Sequence, residues 1–395
     1  MPDDNDICKY KGNTYNLRYT LPTNDSVKGA TFPCDLIAYL DDFGFLDSTT
    51  FLNLSIDKVP NVKVVTAITQ DHFNEAGYLF KSFKQYFSNE EMIVYDLGLR
   101  RKAIDILNKI SFIEYRKFNF SYYPPFVSTV KTYAFKWLVV AEVLKEYKSV
   151  IWADASLRFT RSNFMDDINE LLNCYNGKDD GHKVSEQKQL MEDRTVDGSM
   201  DHRNVVCRRC FNYYKYVRTN NINPILYNFN VNHCYKSQVL MHIPMSHNIL
   251  STTHPIFSKF IPTDRNRHRH ESQRQYGTGF VLFVRTKDTV ENIMKWAVLC
   301  SLTEECIAPI PWFPCSGHFK KSNLFAKRHI CYRFDQTLLT TLLHNNNNYD
   351  NRNYATEIYN YAEFNSKRFY KWESLIKDDE KLVKGDDLKF IYRYD

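Results

Sequence analysis

Glycine is scarce, with 12 in 395 residues, and none opens a G-x-G-x-x-G turn or a G-x-x-x-x-G-K-[ST] loop after a strand pattern. Those loops supply the backbone amides that cradle phosphates, so their absence argues against dinucleotide-binding and P-loop ATP-using enzymes. Long apolar runs are missing too. The longest, Trp137 to Leu144, is broken by Glu142 and falls far short of the ~20 residues that span a bilayer. The first residues, MPDDNDICKY, are acidic and polar, and read as neither signal peptide nor anchor. Charge of one sign does not dominate either. A net charge of +6 suits a protein that meets anionic ligands and does not demand nucleic acid.

The ten cysteines are spread thinly. Cys207-Arg-Arg-Cys210 is one C-x-x-C with no second pair at zinc-finger spacing, which leaves zinc and disulfide both open. Cys300, Cys306, Cys315 and Cys331 gather in the last third and can form disulfides in an oxidising compartment. Asn24, Asn53 and Asn119 each open an Asn-x-Ser/Thr sequon, a pattern that a chain rich in Asn also produces by chance.

What is present fits a folded protein. Hydrophobic residues make up 43% and charged residues 25%, and the 15% aromatic content favours a large core with aromatic-lined clefts. Residues 1–60 carry turn formers and no sustained period, and read as an N-terminal extension with local structure. From Asn61 strand and helix patterns alternate. Val62–Ile68, Glu91–Asp96, Phe112–Phe118 and Lys148–Asp154 are β-branched or apolar strand patterns. Asn74–Phe87, Arg100–Lys109 and Thr129–Tyr147 are helical between them, the last preceded by the break at Pro124-Pro125. Such alternation predicts an α/β fold with a parallel, doubly wound sheet. Further on, helix is expected over Phe164–Cys174, Asp288–Leu302 and Phe334–His344, and strand over Gln238–Ile243, Gly277–Arg285 and Arg368–Trp372. Residues 176–275 form a variable region, and 346–395 a C-terminal segment.

The chain is organised around Lys148–Phe159, KSVIWADASLRF. A buried strand ends abruptly in Asp154-Ala155-Ser156, with Arg158 beyond. Ligands of open α/β sheets bind outside the carboxyl ends of strands, so Asp154 can hold a metal, a sugar hydroxyl or a structural hydrogen bond. Paired carboxylates at i and i+2 would deliver oxygens to a metal–diphosphate complex; here Ser156 offers a hydroxyl instead.

Lys131-Thr-Tyr-Ala-Phe-Lys136-Trp-Leu followed by VIWADASLRF resembles the helix and Asp-x-Asp strand of GT-A-fold nucleotide-diphospho-sugar transferases. The resemblance is nearest to an uncharacterised glycosyltransferase-like family abundant in invertebrates. It extends through the Thr-His254-Pro segment, Gly277–Arg285, the Trp296–Cys300 helix and Tyr332-Arg333-Phe334-Asp335-Gln336, in order over residues 61–345.

This resemblance implies a single large GT-A-like domain, a mostly parallel (mixed) sheet flanked by helices, and a glycosyltransferase that moves a sugar from a nucleoside-diphosphate donor to an unknown glycan or protein acceptor. It implies donor-binding roles for Thr66, Thr69, Lys136, Asp154, Ser156 and Arg158, and places Asp335 and Gln336 opposite the transferred sugar. A divalent cation, Mn or Mg, would sit at Asp154, with His318 as a weak second ligand. It suggests the secretory pathway or Golgi lumen. Bland alternatives stand beside these roles: a helix N-cap or first-turn acid for Asp335, a snorkelling helix residue for Lys136, and a structural residue for His254. The basic stretch with Arg265, Arg267, His268, Arg269 and His270 is either a solvated loop or a phosphate- or RNA-attracting one. The competing function, favoured by Ser156, is a non-catalytic glycan- or protein-binding relative.

Overall fold

A computed structural model describes residues 7–54, 57, 59–161, 238–269, 273–311, 315, 330–356, 362–364 and 370–383. Two small hairpins come first, β1 (Ile7–Tyr10) with β2 (Asn13–Asn16), and β3 (Arg18–Leu21) with β4 (Asn24–Thr31). The first turns through Lys11 and Gly12, both at positive φ, the conformation two-residue hairpin loops demand. Helix α1 (Ile37–Asp42) follows, and a disulfide between Cys8 and Cys34 closes this stretch. Its apolar side chains, among them Leu17, Phe32, Leu40 and Phe43, belong to the main hydrophobic core. The residues read as an extension therefore pack as part of the body.

Next come β5 (Lys63–Ile68), α2 (Phe73–Tyr86), β6 (Met92–Asp96), α3 (Arg101–Leu107), β7 (Ile113–Lys117), α4 (Ala134–Glu146) and β8 (Ser149–Ala153). The alternation read from hydrophobic periodicity is observed to within a residue or two for the strands. Helix α4 starts later than expected. Residues 125–132 wind as short 3-10 turns, and Tyr133 sits in the left-handed region at φ 57°, which fixes the helix start one residue on.

Beyond β8 lie β9 (Leu157–Phe159), β10 (Val239–Asn248) and β11 (Arg274–Val284). A π-turn over Thr289–Met294 runs into α5 (Lys295–Ser301), followed by α6 (Glu304–Ile307), α7 (Phe334–Asn346), β12 (Ala362–Phe364) and α8 (Trp372–Val383). The helix expected over Phe164–Cys174 lies outside the described residues, as do Cys207 and Cys210. The strand expected over Arg368–Trp372 is corrected at its end. Trp372 opens α8, because its indole stacks on Phe73 of α2 at 4.3 Å and caps that helix's apolar face.

The six-stranded sheet runs β10-β11-β8-β5-β6-β7. Strands β8, β5, β6 and β7 are parallel neighbours, whereas β11 is antiparallel to both β8 and β10. The α/β fold is thus a mostly parallel, mixed sheet with helices on both faces. Strand periodicity sorts the side chains. Val65, Ile93, Trp152 and Phe283 pack with α4, α5 and α7. Val64, Met92, Ile151 and Leu282 pack with α2, α3 and α8 on the other face. Helix α4 is buried from Ala134 to Ala141 on every side, as expected for an element enclosed between sheet and helices. From β5 the chain winds one way through β6 and β7, then crosses back to add β8 on the other side. The carboxyl ends of β5 and β8 therefore flank the switch point where α/β sheets open a crevice.

Candidate functional site

Two strands end in aspartate, and their fates differ. Asp96, at the end of β6, accepts the backbone N–H groups of Gly98 (2.7 Å) and Leu99 (2.5 Å) and the hydroxyl of Tyr115 (2.7 Å), so it is consumed in shaping the turn. Asp154, just past β8, keeps a side chain 39% exposed. Its Oδ1 accepts the indole N–H of Trp152 at 2.7 Å and lies 3.1 Å from the Lys136 ammonium. Its backbone takes part in the turn, donating to Gly279 and accepting from Leu157. The carboxylate is held by side chains and presented to the space beyond the sheet.

Lys136 is the hinge of this arrangement. Helix α4 carries it into the interior, where only 1% of the side chain reaches solvent. Its ammonium donates to Asp335 Oδ2 at 2.7 Å and to the Thr278 hydroxyl at 3.2 Å. Thr278 in turn donates to the same Asp335 oxygen at 2.5 Å. Three elements, α4, β11 and the first turn of α7, are thereby tied to the exit of β8. Burial pulls the Lys136 ammonium toward neutrality, but Asp154 and Asp335 outweigh it and raise its pKa. Burial likewise pushes Asp335 up, while the Lys136 charge and the hydrogen bonds hold it below the ordinary carboxylate value. Lys136 does not snorkel, and Asp335 is neither a solvated first-turn acid nor a free group facing the opening.

A cavity of about 580 Å³ opens at the switch point. Ala67 and Thr69 line it from the β5 exit, Trp152, Asp154 and Ser156 from the β8 exit, and Gly277 and Gly279 from β11. Lys131, Tyr133 and Phe135 contribute from the approach to α4, Arg333 and Gln336 from the start of α7, and Phe364 from β12. Asp71, His72 and Glu75, at the start of α2, line it as well. His72 Nδ1 lies 2.6 Å from Glu75 Oε2; the imidazole is half exposed and the carboxylate 5% exposed.

Of the residues singled out from the sequence, Thr69, Asp154, Ser156 and Gln336 line this cavity. Lys136 and Asp335 form the ion pair behind it. Thr66 is fully buried within β5 and its hydroxyl has no hydrogen-bond partner. Arg158 lies apart from the opening. Its guanidinium donates to the carbonyls of Ala155 (2.9 Å), Leu157 and Glu75 (2.9 Å) and stacks over Tyr78, and burial lowers its pKa to about 10. It pins the turn after β8 to α2. His254 accepts the Ile256 N–H and caps a short turn. In the basic stretch His268 is buried beside His344 and Tyr349, and Arg267 lies over the Tyr349 ring; neither lines the cavity. His270 and His318 lie outside the described residues. Sequence reasoning gave no role to Arg333, Lys131, the His72–Glu75 pair or Phe364. Arg333 was legible, since it stands directly before Asp335-Gln336 at a helix start. His72 and Phe364 carried no signal, because nothing in the sequence says which loop folds over a strand exit.

Toward a divalent cation the described residues offer few ligands, and a magnesium-type ion, which takes one or two carboxylates, would complete its shell with waters and substrate phosphates. Asp154 supplies one carboxylate, already engaged at Oδ1, and Ser156 one neutral hydroxyl. Among the described residues no group of three His, Cys, Asp or Glu side chains is arranged to hold a metal. Nor is any described helix long and apolar enough to cross a membrane.

Residues 7–141 match the sequence profile of a family described as a protein of unknown function, DUF1647. No curated protein matches the chain. Among solved structures it is similar to an active-site mutant of LgtC, with 16% identity over 26% of this chain and 41% of that chain and a TM-score of 0.22. The chain thus spans about two fifths of that neighbour. It is also similar to the galactosyltransferase LgtC in complex with donor and acceptor sugar analogs, at 10% identity, 71% and 70% coverage and a TM-score of 0.32. Mouse xyloside xylosyltransferase 1 gives 10% identity, 72% and 82% coverage and a TM-score of 0.32. At such overlap the site stands on its own residues.

Proposed function

We propose that this protein is a glycosyltransferase of GT-A type whose switch-point cavity holds a nucleoside-diphosphate sugar. The observation that carries the proposal is Asp154. It is a strand-exit carboxylate fixed by Trp152 and Lys136, facing an opening that also presents cations, an amide and aromatic faces. Concave sites of this size with a few convergent polar groups suit ligands of such dimensions.

In this reading Asp154 and Ser156 receive hydroxyls of the donor's ribose or sugar. Lys136 and Asp335 neutralise one another, so Lys136 acts as the post that orients Asp154 and is not the diphosphate's counter-charge. That task falls to Arg333 and Lys131 on the cavity wall. Gln336, which accepts from Arg333 Nη1 at 3.0 Å, faces the sugar with its amide. Phe364 and Tyr133, both about 40% exposed at the opening, offer faces to a base or a sugar ring. During transfer the bond from the anomeric carbon to the phosphate oxygen breaks and a bond to the acceptor oxygen forms. Arg333 and Lys131 stabilise the negative charge that develops on the leaving diphosphate. His72, oriented by Glu75, is placed to accept the acceptor's proton. The same wall residues without turnover would make a glycan-binding relative.

Calorimetry of the full chain with UDP- and GDP-sugars, each with EDTA and with manganese, tests the proposal. Binding that Asp154→Ala abolishes in a still-folded protein is expected, accompanied by donor hydrolysis or transfer. Binding without any turnover selects the non-catalytic alternative. No binding to any nucleotide sugar under either condition removes the proposal.

A further inference from the structure

Every cysteine among the described residues is in a disulfide: Cys8–Cys34, Cys300–Cys306 and Cys315–Cys331. One bond clasps the N-terminal hairpins to the start of α1, and the other two lie in the C-terminal third, so the pairing is not confined to one loop. Cross-links of this kind form and persist where the surroundings are oxidising and are rare in the cytosol.

The sequons supply an independent signal. The fold places Asn24, Asn53 and Asn119 each at an exposed position. Asn24 opens β4 at the turn from β3, Asn53 precedes β5, and Asn119 follows β7 at the edge of the sheet. None of the three lines the candidate cavity. Exposure is the condition an attached glycan requires, and asparagine meets it in most folds. Local geometry adds to this. Asn24 Oδ1 accepts from the Ser26 hydroxyl at 2.6 Å and from the Ser26 N–H at 3.1 Å. Asn119 Oδ1 accepts from the Ser121 hydroxyl at 2.7 Å. In both, the sequon hydroxyl polarises the carbonyl end of the amide and leaves the nitrogen end over. That nitrogen is the atom a glycan would occupy.

We propose that Asn24, Asn53 and Asn119 carry N-linked glycans, and that the chain folds and works in an oxidising lumenal or extracellular compartment. The modification joins each Asn Nδ2 to the anomeric carbon of an oligosaccharide carried on a lipid diphosphate. The bond from that carbon to phosphate oxygen breaks, the amide loses one proton, and the lipid diphosphate leaves. Attachment at exposed turns disturbs no packed side chain and leaves the cavity open.

The test uses the full-length protein recovered by antibody from cells that make it, treated with peptide N-glycosidase F and compared by intact mass. Three glycan-sized losses are expected, with Asn24, Asn53 and Asn119 each found as Asp in the peptide map. Leader-fused Asn24→Gln, Asn53→Gln and Asn119→Gln, made in a secreting cell line, should each remove one glycan. Thiol titration of the denatured native protein should find Cys8, Cys34, Cys300, Cys306, Cys315 and Cys331 unreactive until reduced. An unchanged mass with all three residues still Asn overturns the proposal. A site found unmodified overturns it for that site, and reactive thiols at those six cysteines overturn the compartment.

Discussion

Lys136 on α4 and Asp335 on α7 are 199 positions apart in sequence, and their charges meet at 2.7 Å in the interior. Such a pair is expensive to desolvate, and removing one partner of a buried pair costs about 3–5 kcal/mol because the other is left uncompensated. Lys136→Met should therefore destabilise the protein by about that amount at neutral pH, read from urea unfolding. The pH dependence has a defined sign. Asp335 is held below its ordinary value, so its contribution is present above about pH 4 and is lost as pH falls through the lowered pKa. Lys136 is raised, so its contribution is present below about pH 10.5 and is lost as pH rises through the raised pKa. In the Met variant Asp335 is buried without its cation and takes up a proton more readily. The gap between wild type and variant should be widest near pH 7 and narrow as pH falls and that proton is bound. A gap that stays constant as pH falls would contradict the pairing.

Arg333 and Arg158 separate binding from architecture. Arg333 faces the cavity, and a charged hydrogen bond of the kind proposed for it is worth about 1.5–3 kcal/mol. Arg333→Ala should weaken nucleotide-sugar binding roughly 10- to 100-fold while changing nucleoside affinity little. Arg158→Met leaves the Ala155, Leu157 and Glu75 carbonyls without their donor and should lower the melting temperature. Its folded fraction should bind the donor as wild type does. Equal losses of donor affinity in the two variants would show that the phosphate contact has been assigned to the wrong arginine.

The His72–Glu75 pair makes a kinetic prediction. If His72 takes the acceptor's proton, His72→Gln should lower kcat by about 100-fold or more and leave the donor's Kd within about twofold. Glu75→Gln, which keeps size but gives up the charge behind the imidazole, should fall between wild type and His72→Gln. Single-turnover rates measured with saturating donor, beside calorimetric Kd values, distinguish this from a binding role. An unchanged kcat in His72→Gln would leave proton transfer to another group.

Much of this was legible in the sequence because sheet strands announce themselves locally. The β-branched runs around Val64, Ile93 and Ile151 alternate with helices, and a polar residue at the end of each strand marks its exit. The arrangement beyond those exits was not local. Arg158 reads as a cation two residues past Ser156, yet the tight turn after β8 swings it under α2, where three carbonyls claim it. Lys136 reads as a polar interruption of an apolar helix, as Glu142 does, and sequence alone cannot say that Asp335 folds back to meet Lys136. Phe364 is invisible for the same reason. Its position over the cavity depends on β12 pairing with β9, a contact between residues some 200 apart.

That pairing explains why residue 279 is glycine and supplies the last prediction. A Cβ there would lie 2.5 and 2.6 Å from Phe364 Cε1 and Cζ and 2.9 Å from Asp154 Oδ2. Backbone conformation is not the obstacle; space is, since β11 passes directly beneath the aromatic ring and the carboxylate. The Phe364 ring is 44% exposed and can swing aside, so relief on that side costs little. Asp154 cannot move as freely, because Trp152 and Lys136 hold its other oxygen. Gly279→Ala should therefore keep the fold but weaken donor binding by about 1–3 kcal/mol, the cost of distorting a packed site. Adding Phe364→Ala should change the melting temperature little and should not recover affinity, since the methyl group still presses on Asp154 and an aromatic face is lost from the opening. Thermal unfolding and calorimetry on the single and double variants separate the two effects. Full recovery of affinity in the double variant would mean that Phe364 is the residue Gly279 protects and that Asp154 does not depend on it.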